Sequence, residues 1–301
     1  MSAKIWLIIF FIIFFVIAPA GFPFGVFFNL FGRHKAPKNS GRRRNEFLAR
    51  ITIPYEFSEI KISSAEGLDL FGDYISIGSK KTVLLIHGYR SCPYVNFSTV
   101  NDLYVQQGFN VLMIYQRALG KSGGKFCGMG MSEQYDVLEW IKWLEENTSV
   151  EKIVVHGASM GAATLAYLSS KIKSEKVKAL VIDSCYTSVY EQMENVLNKN
   201  KIIRYIVTRS SRALGLKLAK VDIKDSTVDS LKDNYIPVIF LYGEKDETIP
   251  FIFVEKCFNI NPGEKVLIKV PDAVHIKSLE TGGPEIQNQF FKYLNNYIEE
   301  A

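Results

Sequence analysis

A Gly-x-Ser-x-Gly segment between an apolar strand-like run and an Ala-rich helical stretch constrains the fold more than any other feature. It reads Gly-Ala-Ser-Met-Gly over residues 157–161. Glycines on both sides of Ser159 indicate a sharp strand-to-helix turn, because a side chain at 157 or 161 would collide with a neighbouring strand or helix. Such a turn holds the hydroxyl above a sheet, beside a helix N-terminus that stabilises developing negative charge. Ser159 is therefore the candidate nucleophile.

The rest of the chain alternates short apolar runs with helical patterns. Most of the later runs are continuous and rich in Val, Ile and Leu, as parallel strands buried on both faces are. This alternation predicts an α/β fold with a mostly parallel eight-stranded sheet flanked by helices, in which the first two strands form an antiparallel edge. The predicted strands are Tyr55–Ser63, Asp69–Ile77, Thr82–His87, Asn110–Tyr115, Lys152–His156, Lys178–Asp183, Pro237–Tyr242 and Lys265–Val270. The predicted helices are about Val95–Gln107, Ser132–Glu146, Met160–Lys171, Phe251–Phe258 and Pro284–Ile298.

One insertion interrupts this alternation. Between Asp183 and Pro237 the chain has no strand-like run, whereas Tyr190–Leu197 and Ile202–Ala219 have helical patterns. We interpret residues 186–233, approximately, as a small helical cap over the carboxyl edge of the sheet, inserted into one domain that spans residues 51–301.

A nucleophilic serine requires a general base, and the chain has four histidines. His34 lies in a basic segment, His87 ends an earlier strand, and His156 precedes the serine turn. Only His275 follows the last strand, in a loop that can bring its imidazole to Ser159. We therefore predict His275 as the base.

The imidazole in turn requires a carboxylate that orients it and stabilises its charged form. Asp246, in the loop after the penultimate strand, is the first choice, and Asp183, after the preceding strand, is the alternative. Asp272 is too near His275 along the chain. The predicted chain order is then Ser159, Asp246, His275.

The Leu-Leu-Ile-His-Gly-Tyr-Arg run at 84–90 predicts the oxyanion site. Gly88 permits close backbone approach, so that the N–H of Tyr89 faces the reacting carbonyl oxygen, and the N–H of Met160 is the second donor. His87 is then a structural support.

These segments resemble the α/β-hydrolases, in particular the branch of serine-aminopeptidase-like and monoacylglycerol-lipase-like enzymes, over about residues 55–300. The resemblance is carried by His-Gly-Tyr at 87–89, Gly-Ala-Ser-Met-Gly at 157–161, Gly-Glu-Lys-Asp at 243–246, the His275 segment, and a partial D-x-R-G-x-G-x-S motif of which Arg117, Gly120 and Ser122 remain. It implies hydrolysis of an ester, thioester or amide through an acyl-serine, with no metal and no organic cofactor.

The N-terminus has no charged residue from Ile5 to Gly32. Two interpretations compete: an uncleaved transmembrane anchor over residues 1–32, or a signal peptide cleaved near residues 18–20. Pro19 and Pro23 are expected to kink or end its first helical part. The apolar run continues beyond the cleavage-like site and six basic residues follow at 33–44, which favours a single-pass anchor with a cytoplasmic catalytic domain. We interpret residues 33–50 as a basic linker that contacts anionic head groups or only sets topology.

The charge distribution excludes one class of partner. Residues 1–50 contain eight Lys/Arg and one acid, so residues 51–301 keep 28 basic and 30 acidic residues and no basic stripe for nucleic acid. The sequence thus predicts a membrane-anchored serine hydrolase that acts on a small acyl substrate, which includes lipids. The alternatives are a peptidase or aminopeptidase with the same triad, and a non-catalytic, membrane-tethered binding protein.

Overall fold

The computed structural model describes residues 18–299 and contains one eight-stranded sheet. The strands lie in the order β1-β2-β4-β3-β5-β6-β7-β8. The pairs β1–β2 and β2–β4 are antiparallel and all the other pairs are parallel. The strands are β1 (Glu56–Ser63), β2 (Asp69–Ser76), β3 (Lys81–Ile86), β4 (Asn110–Tyr115), β5 (Lys152–Ala158), β6 (Val177–Asp183), β7 (Val238–Gly243) and β8 (Lys265–Val270).

The predicted eight-stranded, mostly parallel sheet with an antiparallel edge is confirmed. Alternate residues of each central strand pack into two separate cores: Val83 and Leu85 of β3 belong to one core, whereas Leu84 and Ile86 belong to the other. Burial on both faces is the reason that these strands are continuous apolar runs.

Helices cover both faces of the sheet. One core contains buried residues of α5, α6 and α10, and the other contains buried residues of α2, α3, α4, α11 and α12. The helices are α1 (Ala18–Phe31), α2 (Ser40–Arg50), α3 (Pro93–Asn96), α4 (Val100–Gln106), α5 (Glu133–Asn147), α6 (Met160–Leu168), α7 (Val189–Val196), α8 (Lys201–Leu214), α9 (Thr227–Leu231), α10 (Phe251–Ile260), α11 (Ser278–Thr281) and α12 (Gly283–Glu299). A 3₁₀ turn (Ser169–Lys171) follows α6 and a π-helical turn (Gly215–Ala219) follows α8.

The insertion between β6 and β7 consists of α7, α8, the π-helical turn and α9. Ser188, Asn200 and Ser226 cap the N-termini of its three helices with their side-chain oxygens. Such caps satisfy backbone N–H groups that have no partner within a helix. The function of this insertion as a cap with bounds near 186–233 stays a prediction.

The N-terminal segment needs a correction. Residues 1–17 of the predicted anchor lie outside the described residues, and residues 18–31 form α1, which continues through Pro23. Phe27 and Phe31 are fully buried in the core of the domain, so this half of the predicted anchor packs against protein. Within residues 18–299, no helix combines the length and the apolar character that crossing a bilayer requires.

Residues 40–50 of the predicted basic linker form the helix α2, and this segment contacts the domain at several points. Phe47 of α2 is buried in the core. Arg44 forms ion pairs with Glu59 at 3.0 Å and Asp73 at 3.4 Å. Arg33 donates to the carbonyl of Ser122 at 2.6 Å. A polar composition suggested a linker, but these cations face carboxylates and carbonyls of the folded domain instead of water alone.

Candidate active site

Ser159 lies between β5 and α6 in a backbone conformation that non-glycine residues seldom adopt. Its φ is 56° and its ψ is −114°. The turn is held by the N–H of Ser159, which donates to the carbonyl of Asp183 at 2.8 Å, and by the N–H of Ala163, which donates to the carbonyl of Ser159 at 3.0 Å. A strained residue that is fixed on both sides is typical of functional sites.

The two glycines of the motif are required by close backbone approach. A Cβ atom at Gly161 would lie 1.9 Å from the carbonyl oxygen of Ile86, and one at Gly157 would lie 2.2 Å from the carbonyl oxygen of Gly161. No real Cβ contact is that short, so a side chain at either position would displace β3 or the start of α6. The collision predicted from the sequence is therefore present in the geometry.

His275 lies in the loop after β8, between Ser159 and Asp246. Its Nε2 atom is 2.9 Å from Oγ of Ser159, and its Nδ1 atom is 2.7 Å from Oδ2 of Asp246. If Nδ1–H donates to the carboxylate, Nε2 is the acceptor for the serine hydroxyl. The three side chains thus form one hydrogen-bonded chain at the carboxyl edge of the sheet.

Asp246 is held as an ionised acceptor. Its Oδ1 atom accepts from the backbone N–H of Thr248 at 2.8 Å and of Ile249 at 2.9 Å. Burial alone would raise the pKa of this carboxyl, but the hydrogen bond and charge of His275 and the two backbone donors outweigh it and lower the pKa. The carboxylate can therefore fix the imidazole tautomer and stabilise the imidazolium.

Asp183, the alternative carboxylate, has a different place. It is buried at the end of β6, where its carbonyl accepts from Ser159 and its Oδ1 accepts from the hydroxyl of Ser184 at 3.2 Å. Burial raises the pKa of Asp183 to about 7. The structure therefore brings Asp246, rather than Asp183, into hydrogen-bond contact with His275.

The loops that carry Asp246 and His275 are packed against each other at Gly243. A Cβ atom there would lie 2.4 Å from the carbonyl oxygen of Ala273. Gly243 belongs to a segment that carries the family resemblance, but this close approach was not predicted from the sequence. A glycine at the end of a strand, three residues before the candidate carboxylate Asp246, was the available signal.

The other histidines are held in structural environments. Burial lowers the pKa of His87 to about 4 and that of His156 to about 3, so both are neutral near pH 7. The backbone N–H of Gln116 donates to Nε2 of His87 at 3.2 Å. Nδ1 of His156 is 3.1 Å from the hydroxyl of Tyr104.

The predicted oxyanion donors lie on either side of Ser159. A Cβ atom at Gly88 would be 3.2 Å from Cβ of Ser159, so the backbone turn at 88–90 runs directly against the serine. No backbone acceptor within residues 18–299 takes up the N–H of Tyr89 or of Met160. The function of both groups as oxyanion donors stays a prediction.

The C-terminus of α1 holds the same turn. The hydroxyl of Tyr89 donates to the carbonyl of Leu30 at 2.8 Å, and the guanidinium of Arg90 donates to Oδ1 of Asn29 at 2.9 Å and to the Asn29 carbonyl. Terminal carbonyls of a helix lack intrahelical partners, so this contact satisfies α1 and fixes the turn together. This contact between α1 and the turn was not predicted from the sequence.

An apolar cavity of about 400 Å³ adjoins Ser159 and Met160. One wall comes from α1 and the other from the insertion, a division that the sequence analysis missed because it assigned α1 to the bilayer. The apolar wall residues include Phe22, Val26, Leu30, Val189, Met193 and Val207.

A family model described as alpha/beta hydrolase fold matches residues 81–201. The Arabidopsis thaliana alpha/beta hydrolase domain-containing protein WAV2 is 24% identical over 263 residues, which cover 84% of this chain and 82% of that protein. Among solved structures, the Pyrococcus furiosus esterase Pf2001 is similar with a TM-score of 0.67 and 23% identity, over 81% of this chain and 93% of that chain.

Two further similar proteins are named for a membrane location and for a lipase activity. An uncharacterized membrane protein of Saccharomyces cerevisiae is 22% identical over 82% of this chain and 81% of that protein. The Xenopus tropicalis lysophosphatidylserine lipase ABHD12 is 24% identical over 51% of this chain and 39% of that protein. The chain therefore has the α/β-hydrolase fold, which the family model and the similar solved structure both indicate.

Proposed function

We propose that this protein is a serine hydrolase that cleaves carboxylic ester bonds, including lipid acyl esters or thioesters, through an acyl-serine intermediate. The observation that carries the proposal is the continuous chain of hydrogen bonds from Ser159 through His275 to Asp246 beside an apolar cavity. The esterase among the similar structures supports the same chemistry.

The geometry suggests a role for each group. As Oγ of Ser159 attacks the acyl carbonyl, Nε2 of His275 takes its proton, and Asp246 stabilises the resulting imidazolium. The N–H groups of Tyr89 and Met160 bind the oxygen that becomes negatively charged. His275 then gives the proton to the leaving alkoxide, and a water activated by the same imidazole releases the acid and regenerates Ser159.

The cavity favours an acyl chain over a peptide with a free N-terminus. Its walls are largely apolar, and the residues that line it within the described part of the chain include no Asp or Glu. An aminopeptidase site needs an anionic group for the substrate ammonium, since a buried unpaired cation is unfavourable. The relative named as a lysophosphatidylserine lipase supports a lipid-like substrate.

The test is labelling and turnover by the full chain in detergent. We expect a fluorophosphonate probe to label the wild type and not Ser159→Ala, and p-nitrophenyl esters to be hydrolysed while aminoacyl arylamides are not. Turnover of arylamides alone would favour the peptidase. Folded protein that neither reacts with the probe nor hydrolyses any ester would favour the non-catalytic binding protein and contradict the proposal.

We also propose that the N-terminal residues attach the protein to a membrane, with the hydrolase domain on the cytoplasmic side. The basic residues at 33–44 and the yeast relative named as a membrane protein support this. Lys35, Lys38 and Arg43 are exposed and available to head groups. Digestion of the domain by protease added to intact cells would contradict the cytoplasmic side.

A further inference from the structure

The insertion and α1 carry most of the exposed apolar surface. Nine of the fifteen exposed large apolar side chains in the described residues lie on α1 or between Val196 and Leu216. Ile202 is 73% exposed and Tyr205 is 61% exposed. We define the rim surface as Phe22, Val196, Ile202, Ile203, Tyr205 and Ile206.

The rim surface adjoins the entrance of the active-site cavity. Phe22, Val196 and Ile203 are exposed and also line the cavity, so they form its edge. Helices α1 and α8 pack against each other there. Single apolar residues scattered over a protein surface are common, whereas a cluster of exposed apolar side chains indicates an interaction site.

Helix α8 and the residues on either side of it are strongly basic. Residues 197–220 contain seven Lys/Arg and no Asp or Glu. Lys201, Arg204, Arg209 and Lys224 line a groove of about 550 Å³ along α8, whose one acidic lining residue is Glu194. A helix with an apolar side and many cations is typical of helices that lie in the interface of an anionic membrane.

The sequence before α1 also favours a membrane as the binding partner of the rim surface. The residues that precede α1, Ile5–Ile17, are all apolar, and they connect directly to the helix that forms one side of the cavity entrance. If they enter a bilayer, α1 begins at its surface and the rim surface lies close to it. A second copy of the chain fits the rim surface less well than a membrane does. A symmetric contact would bring the seven Lys/Arg residues of 197–220 close to the same seven residues of the other copy.

We propose that the rim surface docks onto a bilayer that contains anionic lipid, with Ile202, Tyr205 and Ile206 in the interface and the cations of α8 on the lipid phosphates. The active-site cavity then opens toward the membrane, so a lipid ester reaches Ser159 without crossing water. The route for the substrate rests on the proposed function, whereas docking itself does not.

The test measures insertion of a tryptophan, which requires no turnover. Full-length protein with Trp6→Phe and Ile202→Trp is added to vesicles of phosphatidylcholine and phosphatidylserine that contain brominated acyl chains. The matched control carries Tyr235→Trp, a position that is 76% exposed before β7, at the opposite edge of the sheet. The Trp6→Phe parent supplies the background, because Trp140 and Trp143 remain in both variants. Relative to that parent, we expect quenching of the added tryptophan at 202 and none of the one at 235. Quenching at 202 no greater than at 235 overturns the proposal, whether that face is bare or covered by another copy.

Charge variants test the anionic requirement. Lys201→Gln with Arg209→Gln should lower the docking constant of the tethered domain about fivefold per charge removed. Lys173→Gln with Lys292→Gln removes the same charge from exposed positions outside α1 and the insertion, and should leave docking unchanged. An equal loss of quenching in both pairs would assign docking to the overall charge of the protein and overturn the role of α8. If the protein without charge substitutions docks but hydrolyses no ester, that result counts against the proposed function and leaves the docking proposal intact.

Discussion

Two regions meet at the cavity, and they are built differently. At the sheet edge, Ser159, Asp246 and His275 are held by backbone hydrogen bonds and by turns where only glycine fits. The opposite walls, α1 and the insertion, are formed by apolar side chains, several of them exposed. The proposed chemistry therefore depends on local backbone geometry, whereas the substrate site depends on which helices pack together.

The two carboxylates at the sheet edge, Asp246 and Asp183, should differ strongly in how much their loss lowers kcat. Asp246→Asn should lower kcat for a short-chain ester about 10⁴-fold, because the imidazole loses its orienting anion. Asp183→Asn should lower kcat less than about tenfold, since the carbonyl that holds Ser159 remains. Steady-state kinetics with p-nitrophenyl acetate measures both. The reverse order of losses would make Asp183 the functional acid.

A smaller effect tests how rigidly the sheet edge is built. Gly161→Ala should destabilise the fold by about 3 kcal/mol, because the new methyl group collides with the Ile86 carbonyl. Gly41→Ala, in α2 with no atom near its Cβ position, should stabilise it by up to about 1 kcal/mol. Thermal unfolding of the full chain in detergent compares the two. Equal midpoints would show that the turn accommodates a side chain.

The walls of the cavity should set chain length. Val26→Trp fills the cavity, so the ratio of kcat/KM for decanoyl to acetyl esters should fall about tenfold. Phe24→Trp is the control, because Phe24 is half-exposed on α1 and does not line the cavity. An unchanged ratio in Val26→Trp, or an equal fall in both variants, would remove α1 from the substrate site.

The hydrogen bond from Tyr89 to α1 connects the sheet edge with the cavity wall, and its loss should have a small effect. Tyr89→Phe removes the hydrogen bond to the Leu30 carbonyl but keeps the backbone N–H, so kcat should fall about three- to tenfold with little change in KM. Tyr167→Phe removes a similar bond, to the carbonyl of Asp225 at 2.8 Å, far along the chain from the oxyanion turn. A similar fall in both variants would indicate a general effect on stability.

Strand positions were predictable because local sequence encodes them. Seven of the eight strands begin and end within one residue of their predicted bounds, and β5 extends two residues further, to Ala158. The order of β2 beside β4 was not predicted, since adjacent strands in sequence need not be adjacent in a sheet. The helix α2 was missed because its ion pairs and its one buried aromatic residue are long-range contacts.

The strand-helix alternation, the sharp turn at Ser159 and the candidate partners His275 and Asp246 were all predictable from the amino-acid sequence. Each follows from local sterics or periodicity, which a few neighbouring residues specify. Tertiary structure decided that Asp246 rather than Asp183 contacts His275, and that Phe27 and Phe31 of α1 pack against protein. The physical reason is that the hydrophobic effect has no direction: an apolar run must leave water, but only the assembled fold determines which surface covers it.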